Sequence, residues 1–400
     1  MGSQRIKVAF VKFAGLAESG TENYLQNIAC LLQDAGFDVH YFYSNAAPYI
    51  GSKFKHVPNN ISNLSKLQNA GVTVTKFFIQ SKDIRRYDHY WVNSNFFNVF
   101  NESDFDLVIC GKGGSSEYPF NFIRKIPIIE TIHLGKGVDN QENIYKSVHL
   151  SLYSLNRWIE EGGDPFKGVC ISNPLYIPNS TDIERLWPID FTIYGFHQRN
   201  DDEIFTPIAL DAYYKIQNDK TAFLVINGSN LYSEHARKLN LNNFIQINHS
   251  VDRTRLFNLL RGIDVFTHCR KDGEVAPSSI AEAISLSKPV ISHYSPDNNG
   301  QADFISKFGV VCKSVEDYSQ YMQYFSDQDV RRKFTNGAHD YFMKRFDKSA
   351  IKDQFTSLCN EAVCNFSYKQ GFLENVYSSI IHYVKIFTSR AFYAWNRIFK

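Results

Sequence analysis

Residues 272–292 read "DGEVAPSSIAEAISLSKPVIS". Two glutamates stand eight positions apart, Glu274 ahead of Pro277 and Glu282 behind it. The apolar run "DVFTHC" (264–269) precedes the stretch and "KPVIS" (288–292) closes it, so the pattern predicts strand, loop, helix and second strand. Proline suits the first helical turn, where its missing N–H is no loss, so the helix begins around Pro277. Glu274 is then a loop residue at a strand's carboxyl edge, and Glu282 lies inside the helix.

Working outward, the same alternation fills the chain twice. "IKVAFV", "DVHYFY", "DLVIC", "IPIIETI" and "GVCIS" are short strand-like runs rich in Val, Ile and Phe. Between the first two, Leu25, Ile28, Leu31 and Leu32 recur at helical spacing and Gly36 marks a C-terminal stop. A strand, helix, strand unit implies a parallel sheet. Residues 172–191 carry Pro174, Pro178 and Pro188 and read as an interdomain connection. "DFTIYGF", "AFLVING", "NFIQIN", "DVFTHC" and "KPVISH" then restart the alternation, with helices near 205–217 and 252–261. The expected fold is α/β, with two Rossmann-like domains facing across a cleft. Residues 1–187 form the N-terminal acceptor-side domain, 188–365 the C-terminal ligand-binding domain, and 366–400 an amphipathic helical tail.

Composition narrows the functional classes. A chain of 400 residues with 44% hydrophobic content can bury the cores of two domains. A formal net charge of +2 argues against a dedicated nucleic-acid binder and leaves an acidic small molecule allowed. Seven cysteines, with no C-x-x-C pair, suggest neither a zinc cluster nor a dithiol redox site. The start "MGSQRIKVAF" lacks the form of a secretory signal, and no apolar run reaches the roughly 20 residues of a spanning helix. A cytoplasmic location is expected. "GKGGSSEYP" (111–119) is no phosphate-binding loop, because Lys112 is not followed by Ser or Thr, and "GLAESG" (15–20) departs from the G-x-G-x-x-G fingerprint.

The opening stretch has a chemical reading of its own. Unpaired N–H groups at the helix start favour an anion, and Ser278 and Ser279 add hydroxyls beside them. A carboxylate accepts paired hydroxyls well, as a sugar ring or a ribose diol offers them. A diphosphate at the helix start with a hydroxyl-rich group at each end meets both glutamates. That chemistry suggests a nucleotide sugar.

"DVFTHCRKDGEVAPSSIAEAISLSKPVIS" resembles the donor-site signature of the retaining GT-B glycosyltransferases of family 4, E-x7-E followed by Ala and a later Lys-Pro-Val. "SGTENYLQNIACLLQDAGFDV", "IIETIHLGK", "LVINGS" and "SVDRTRLFNLLRGIDVF" match further segments in order, so the resemblance spans roughly residues 5–365. It implies transfer of a sugar from a UDP- or GDP-linked donor, used as co-substrate without a further cofactor or metal, to a glycan or lipid-linked hydroxyl acceptor, with retention of configuration. By the same resemblance His133 and Glu274 serve the reaction. Glu282 holds the ribose, the amides of Val275, Ala276, Pro277 and Ser278 cradle the diphosphate, Gly20 and Gly228 belong to donor-side loops, and Arg199 neutralises the departing phosphate. Pro277 enters that cradle through its backbone alone, having no N–H.

Several positions depart from the pattern. Phe196 and Glu203 or Ile204 stand where many relatives place Arg and Lys, which shifts the diphosphate's burden to Arg199; Val275 and Ala276 replace Phe-Gly. "RNDD", "GE" and "NNGQADFI" fit a related subset better. Residue by residue, plainer readings stay open. A histidine after an apolar strand also serves as a hydrogen-bonded edge residue, Arg199 can pair with Asp201 or Asp202, and Glu282 can face solvent. Two other functions also stay open: a nucleotide-sugar epimerase of the same fold, and a non-catalytic sugar-binding protein.

In the tail, Leu373, Val376, Ile380, Val384, Phe387, Ala391, Trp395 and Ile398 make one face apolar, with Lys385, Arg390, Arg397 and Lys400 among aromatics. Such a helix suits an anionic membrane surface, giving peripheral attachment, and equally suits packing on the first domain. Deleting residues 370–400 separates the two. Loss of liposome sedimentation with an unchanged melting temperature identifies a membrane helix; the reverse identifies a domain clamp.

Overall fold

The computed structural model describes residues 5–12, 15–17, 20–44, 46–47, 55–56, 60–78, 94–117, 119–133, 137–248 and 252–367. The expected tail lies outside them from residue 368 onward. Among the described residues no helix is long and apolar enough to cross a membrane.

The chain forms two compact units. The first holds the described residues up to Val148, Trp158–Val169 and those from Gln354 onward; the second holds His149–Arg157 and Cys170–Asp353. This differs from the expected division at 187/188. The proline-bearing segment belongs with the second unit because its backbone is bonded there: Leu175 N to Phe346 O at 2.9 Å and Glu184 N to Asn258 O at 2.9 Å. Arg185 adds a 3.0 Å ion pair with Asp264. The C-terminal end of the expected second domain also changes unit, the chain returning to the first one at residues 353/354.

The first unit contains β1 (Lys7–Lys12), α1 (Gly20–Asp34), β2 (Asp38–Ser44), the short antiparallel pair β3 (Ala46–Ala47) and β4 (Lys55–His56), α2 (Ile61–Asn69), β5 (Thr73–Phe77) and α3 (Phe96–Val99). β6 (Leu107–Lys112), β7 (Ile128–Ile132), β8 (Ile144–His149) and β9 (Gly168–Cys170) follow, with α4 (Leu152–Glu160) between the last two and divided between the units at residues 157/158. Its main sheet has seven strands in the order β5-β2-β1-β6-β7-β8-β9. β6 and β7 are buried along their whole length, as strands covered on both faces of a parallel sheet must be. α1 presents Leu25, Ile28, Ala29 and Leu32 to this core. It stops where Gly36 turns to φ +93°, closed by Gly36 N to Gln33 O and Phe37 N to Leu32 O, a Schellman end.

The second unit contains β10 (Thr192–His197), α5 (Ile208–Ile216), β11 (Thr221–Ile226), α6 (Asn230–Lys238), β12 (Phe244–Ile247), α7 (Arg253–Gly262), β13 (Val265–Thr267) and α8 (Ser278–Ser285). After these come β14 (Val290–His293), α9 (Gly300–Ile305), β15 (Gly309–Cys312), α10 (Val315–Tyr324), α11 (Gln328–Phe334), α12 (Ala338–Arg345) and α13 (Lys348–Asn365), which runs on into the first unit. The six strands run β12-β11-β10-β13-β14-β15, all parallel. Tyr194, Phe223, Val265 and Ile291 lie in the core against Ile280 and Ile284 of α8, Leu259 of α7 and Tyr318 of α10. That packing fixes α8, and with it Glu282.

The first sheet also buries a charge. Lys112, the last residue of β6, has a side chain closed to solvent, with its ammonium 3.0 Å from Glu130 Oε2 on β7 and bonded to Asp139. Burial opposes the ammonium, but Glu130 and Asp139 outweigh it and hold Lys112 above the ordinary lysine range. Replacing Lys112 by Met leaves two buried carboxylates facing each other, which costs about 3–5 kcal/mol. Urea unfolding of the full chain should show that loss, and a change below about 1 kcal/mol would mean that the cluster is open to water.

Candidate functional site

The second sheet reverses its strand order between β10 and β13, and a parallel sheet opens a crevice at its carboxyl ends at such a switch. His197 ends β10, and His268 to Glu274 follow β13. The loop and helix read from the sequence are both present: Glu274 lies in the loop, and α8 starts at Ser278 behind Pro277, whose side chain supplies no cap to the first turn.

Glu282 points inward rather than to solvent and is 3% exposed. Its Oε2 lies 2.8 Å from His197 Nε2 and its Oε1 accepts from Arg253 Nη2 at 2.7 Å. Burial pushes the carboxyl up, but the His197 ring and the Arg253 guanidinium outweigh it and hold Glu282 below the usual carboxylate range. Arg253 also donates to the Tyr176 carbonyl, at 3.0 Å from Nη2. Glu274 is held the same way. Its Oε2 is 2.9 Å from His268 Nε2, and its Oε1 accepts from Arg270 Nη1 at 2.9 Å. Burial again opposes the charge, and His268 with Arg270 brings the carboxyl below its ordinary range. Arg270 grips Asp272 with Nε at 2.6 Å and Nη2 at 2.8 Å, so the loop's charges are paired.

A second loop seats the first. Gly300 N donates to Glu274 O at 2.8 Å, Asn298 Nδ2 to Asp272 O at 3.0 Å and Ser295 Oγ to Lys271 O at 3.1 Å. A Cβ on Gly300 would stand 2.0 Å from Val275 O, and one on Gly273, which sits at φ +60°, would stand 1.9 Å from Asn298 O. Both glycines are therefore required by close backbone approach. The "NNGQ" segment is the support on which Glu274, Val275 and Ala276 rest.

Arg199 pairs with Asp201 at 2.7 Å, and its side chain is 62% exposed, which is the plainer of the readings open to it. Gly228 lies beyond β11, on the side of β10 away from β13. Its N–H donates to the Asn200 side chain, and Ser229 Oγ donates to Asp202, tying the loop after β11 to the loop after β10. Neither Gly228 nor Arg199 has a hydrogen bond to Glu274 or Glu282 among those found in the described residues. Gln198 crosses the switch, donating to Cys269 O and accepting from Tyr232 at 3.1 Å.

The remaining expected residues are in the first unit. His133 directly follows β7 and is buried, its ring meeting Tyr24 of α1 edge-on at 4.9 Å. Gly20 opens that same helix. Lys12 ends β1 with its ammonium 3.7 Å from Glu22. Nearby, desolvation pushes the Glu117 carboxyl up to about 7 against the pull of Lys112 and Lys12.

His197, Arg253, His268, Arg270 and Gln301 were not singled out by sequence reasoning. The available signal was positional: both histidines fall at the carboxyl ends of the two central strands. Among the described residues no group of three or more His, Cys, Asp or Glu side chains is placed to hold a metal ion.

Residues 207–340, all within the second unit, match the family described as Glycosyl transferases group 1. Solved structures match nearly the whole chain. A glycosyltransferase from Rickettsia africae ESF-5 aligns at TM-score 0.68 and 14% identity over 91% of this chain and 100% of that one. The lipopolysaccharide outer core galactosyltransferase WaaB aligns at 0.65 and 14% over 90% and 99%. Anabaena Alr3699/HepE, in complex with UDP, aligns at 0.64 and 14% over 90% and 100%. The fold is GT-B. No curated protein matches the chain. Within the GT-B frame, the matched segment contains Glu274, Glu282 and α8, whereas Arg199 and the first-unit residues lie outside it.

Proposed function

We propose that the protein is a retaining glycosyltransferase of the family 4 type, moving a sugar from a UDP- or GDP-linked donor to a hydroxyl of a glycan or lipid-linked acceptor. The observation that carries this reading is the pair of glutamates at the strand switch, each paired with a histidine and an arginine, with the start of α8 between them in sequence. Hydroxyl-rich groups flanking a diphosphate suit that array. The group 1 match over the same residues and the UDP complex of a structural neighbour support it.

In this reading the ribose hydroxyls bind Glu282. Each carboxylate oxygen keeps an acceptor site beside its present partner, so His197 and Arg253 stay in place while the diol binds. The backbone from Val275 to Ser278 meets the diphosphate, Arg199 turns from Asp201 to the departing phosphate, and Glu274 faces the sugar near its reacting carbon. The bond from that carbon to the diphosphate oxygen breaks through an oxocarbenium-like state. The acceptor oxygen then bonds on the same face, and its proton passes to the leaving phosphate. Stabilising that leaving charge is the main electrostatic task. His133, in the first unit, is proposed to serve the same reaction.

Titrating UDP- and GDP-sugars, with and without sugar acceptors, tests the reading; a product released as a free or epimerised sugar would contradict transfer. Glu282→Ala should weaken nucleotide binding by about tenfold to a hundredfold, the worth of a charge-assisted contact, with less effect on turnover of bound donor. Glu274→Gln should do the opposite, lowering kcat while binding holds. Equal and negligible effects would remove the donor-site assignment.

We further propose that transfer needs no metal, because a helix N-terminus and Arg199 supply the counter-charge for the diphosphate. Activity should survive EDTA; its abolition by EDTA and recovery with magnesium or manganese would overturn the proposal.

A further inference from the structure

We propose that His268 is a positioning residue of the reaction, tying the Glu274 carboxylate to the rigid sheet so that it stays aimed as the donor changes around it. The inference rests on the reading above, in which Glu274 faces the donor sugar. Its own basis is a chain of contacts that does not depend on any ligand.

His268 follows the last residue of β13, and its backbone is pinned on both sides. Its N–H donates to Ile291 O at 2.7 Å, and its carbonyl accepts from Tyr318 OH at 3.2 Å. The side chain is 1% exposed. Nε2 stands 2.9 Å from Glu274 Oε2 and Nδ1 stands 2.9 Å from Ser292 Oγ, inside β14. An ionised carboxylate only accepts, so Nε2 carries a hydrogen. In the neutral ring Nδ1 then accepts from the Ser292 hydroxyl, which fixes tautomer and ring orientation together. The three residues form a file from the sheet interior to the loop: Ser292, His268, Glu274.

The other groups facing Glu274 differ in kind. Arg270 and Asp272 belong to the same loop as Glu274 and are bonded to each other, so they move with it. Gln301 of α9 reaches the Glu274 backbone N–H at 3.4 Å and leaves the carboxylate untouched. His268 is the contact that fastens the carboxylate to a strand, and a group on a rigid element holds geometry better than one on a loop. Asp272 opposes the Glu274 charge and Arg270 favours it.

The test compares His268→Ala with His268→Gln, whose side-chain amide can still donate to Glu274, and with Ser292→Ala. His268→Ala should lower kcat at least tenfold while the donor KM stays within about threefold. Without the ring, burial and Asp272 face Arg270 alone, so the Glu274 carboxyl moves up and the acid limb of the kcat profile moves to higher pH. His268→Gln should recover part of kcat, and Ser292→Ala should shift the profile in the same direction by less. The Glu274 carboxyl, followed by 13C NMR and assigned with Glu274→Gln, should titrate higher in His268→Ala; this readout needs no turnover. If the carboxyl titration and the kcat profile of His268→Ala match the wild type, or if kcat and nucleotide affinity fall together with the melting temperature and the glutamine fails to rescue, the inference is overturned. A wild type that turns over no nucleotide sugar would instead overturn the reading of the site, and the inference with it.

Discussion

A carboxylate withdrawn from water at the end of a parallel sheet must find cations or donors, or it takes up a proton. In the second unit that demand is met twice, and in the same way: a histidine at the end of a central strand takes one oxygen and an arginine takes the other. His197 with Arg253 holds Glu282, and His268 with Arg270 holds Glu274. Glu282 is buried, and breaking a buried pair by removing one partner costs several kcal/mol, so the arrangement constrains what carries it. β10 and β13 must be neighbours, α8 must start where Pro277 stops the loop, and the 295–301 loop must come close enough to demand glycine at 273 and 300. The strand order and the two glutamates are therefore parts of one requirement.

The first unit meets a related demand with the opposite sign at its centre. Lys112 is buried between Glu130 and Asp139, and the carboxyl ends of β1, β6 and β7 carry Lys12, Lys112 and His133. There the charges pair among themselves and draw two loops together around Gly114, whose Cβ would stand 2.7 Å from Gly137 O. In the second unit each carboxylate is held by a histidine and an arginine at the carboxyl ends of the central strands, with a helix start between the two in sequence. That difference is why the proposed donor is placed on the second unit's residues.

How far the sequence could be read follows from what each feature depends on. The alternation of apolar runs with helical periodicity was enough for two parallel sheets, because strand burial and helix amphipathy are local properties. The loop position of Glu274 and the helix position of Glu282 followed from Pro277 and the flanking strands. The connection at 172–191 reads as a boundary from its prolines, yet it packs on the second unit through Leu175, Glu184 and Arg185, whose partners lie from 74 to 171 residues away. His268 and His197 went unnoticed for the same reason. Their importance is set by which strands are neighbours, and periodicity does not carry that information. Arg199 reads from the sequence either as a cation for a phosphate or as a partner of Asp201 or Asp202, and the fold shows it on Asp201.

The central claim is that a nucleoside diphosphate binds where the β13–α8 loop meets the start of α8. Backbone hydrogen exchange with and without saturating UDP or GDP tests it directly, since the amides that hold the phosphates are those that should slow. The account predicts protection concentrated in residues 273–282, with β15 and α10 unchanged. Protection confined to other segments, or none at a nucleotide concentration that binds, would contradict it.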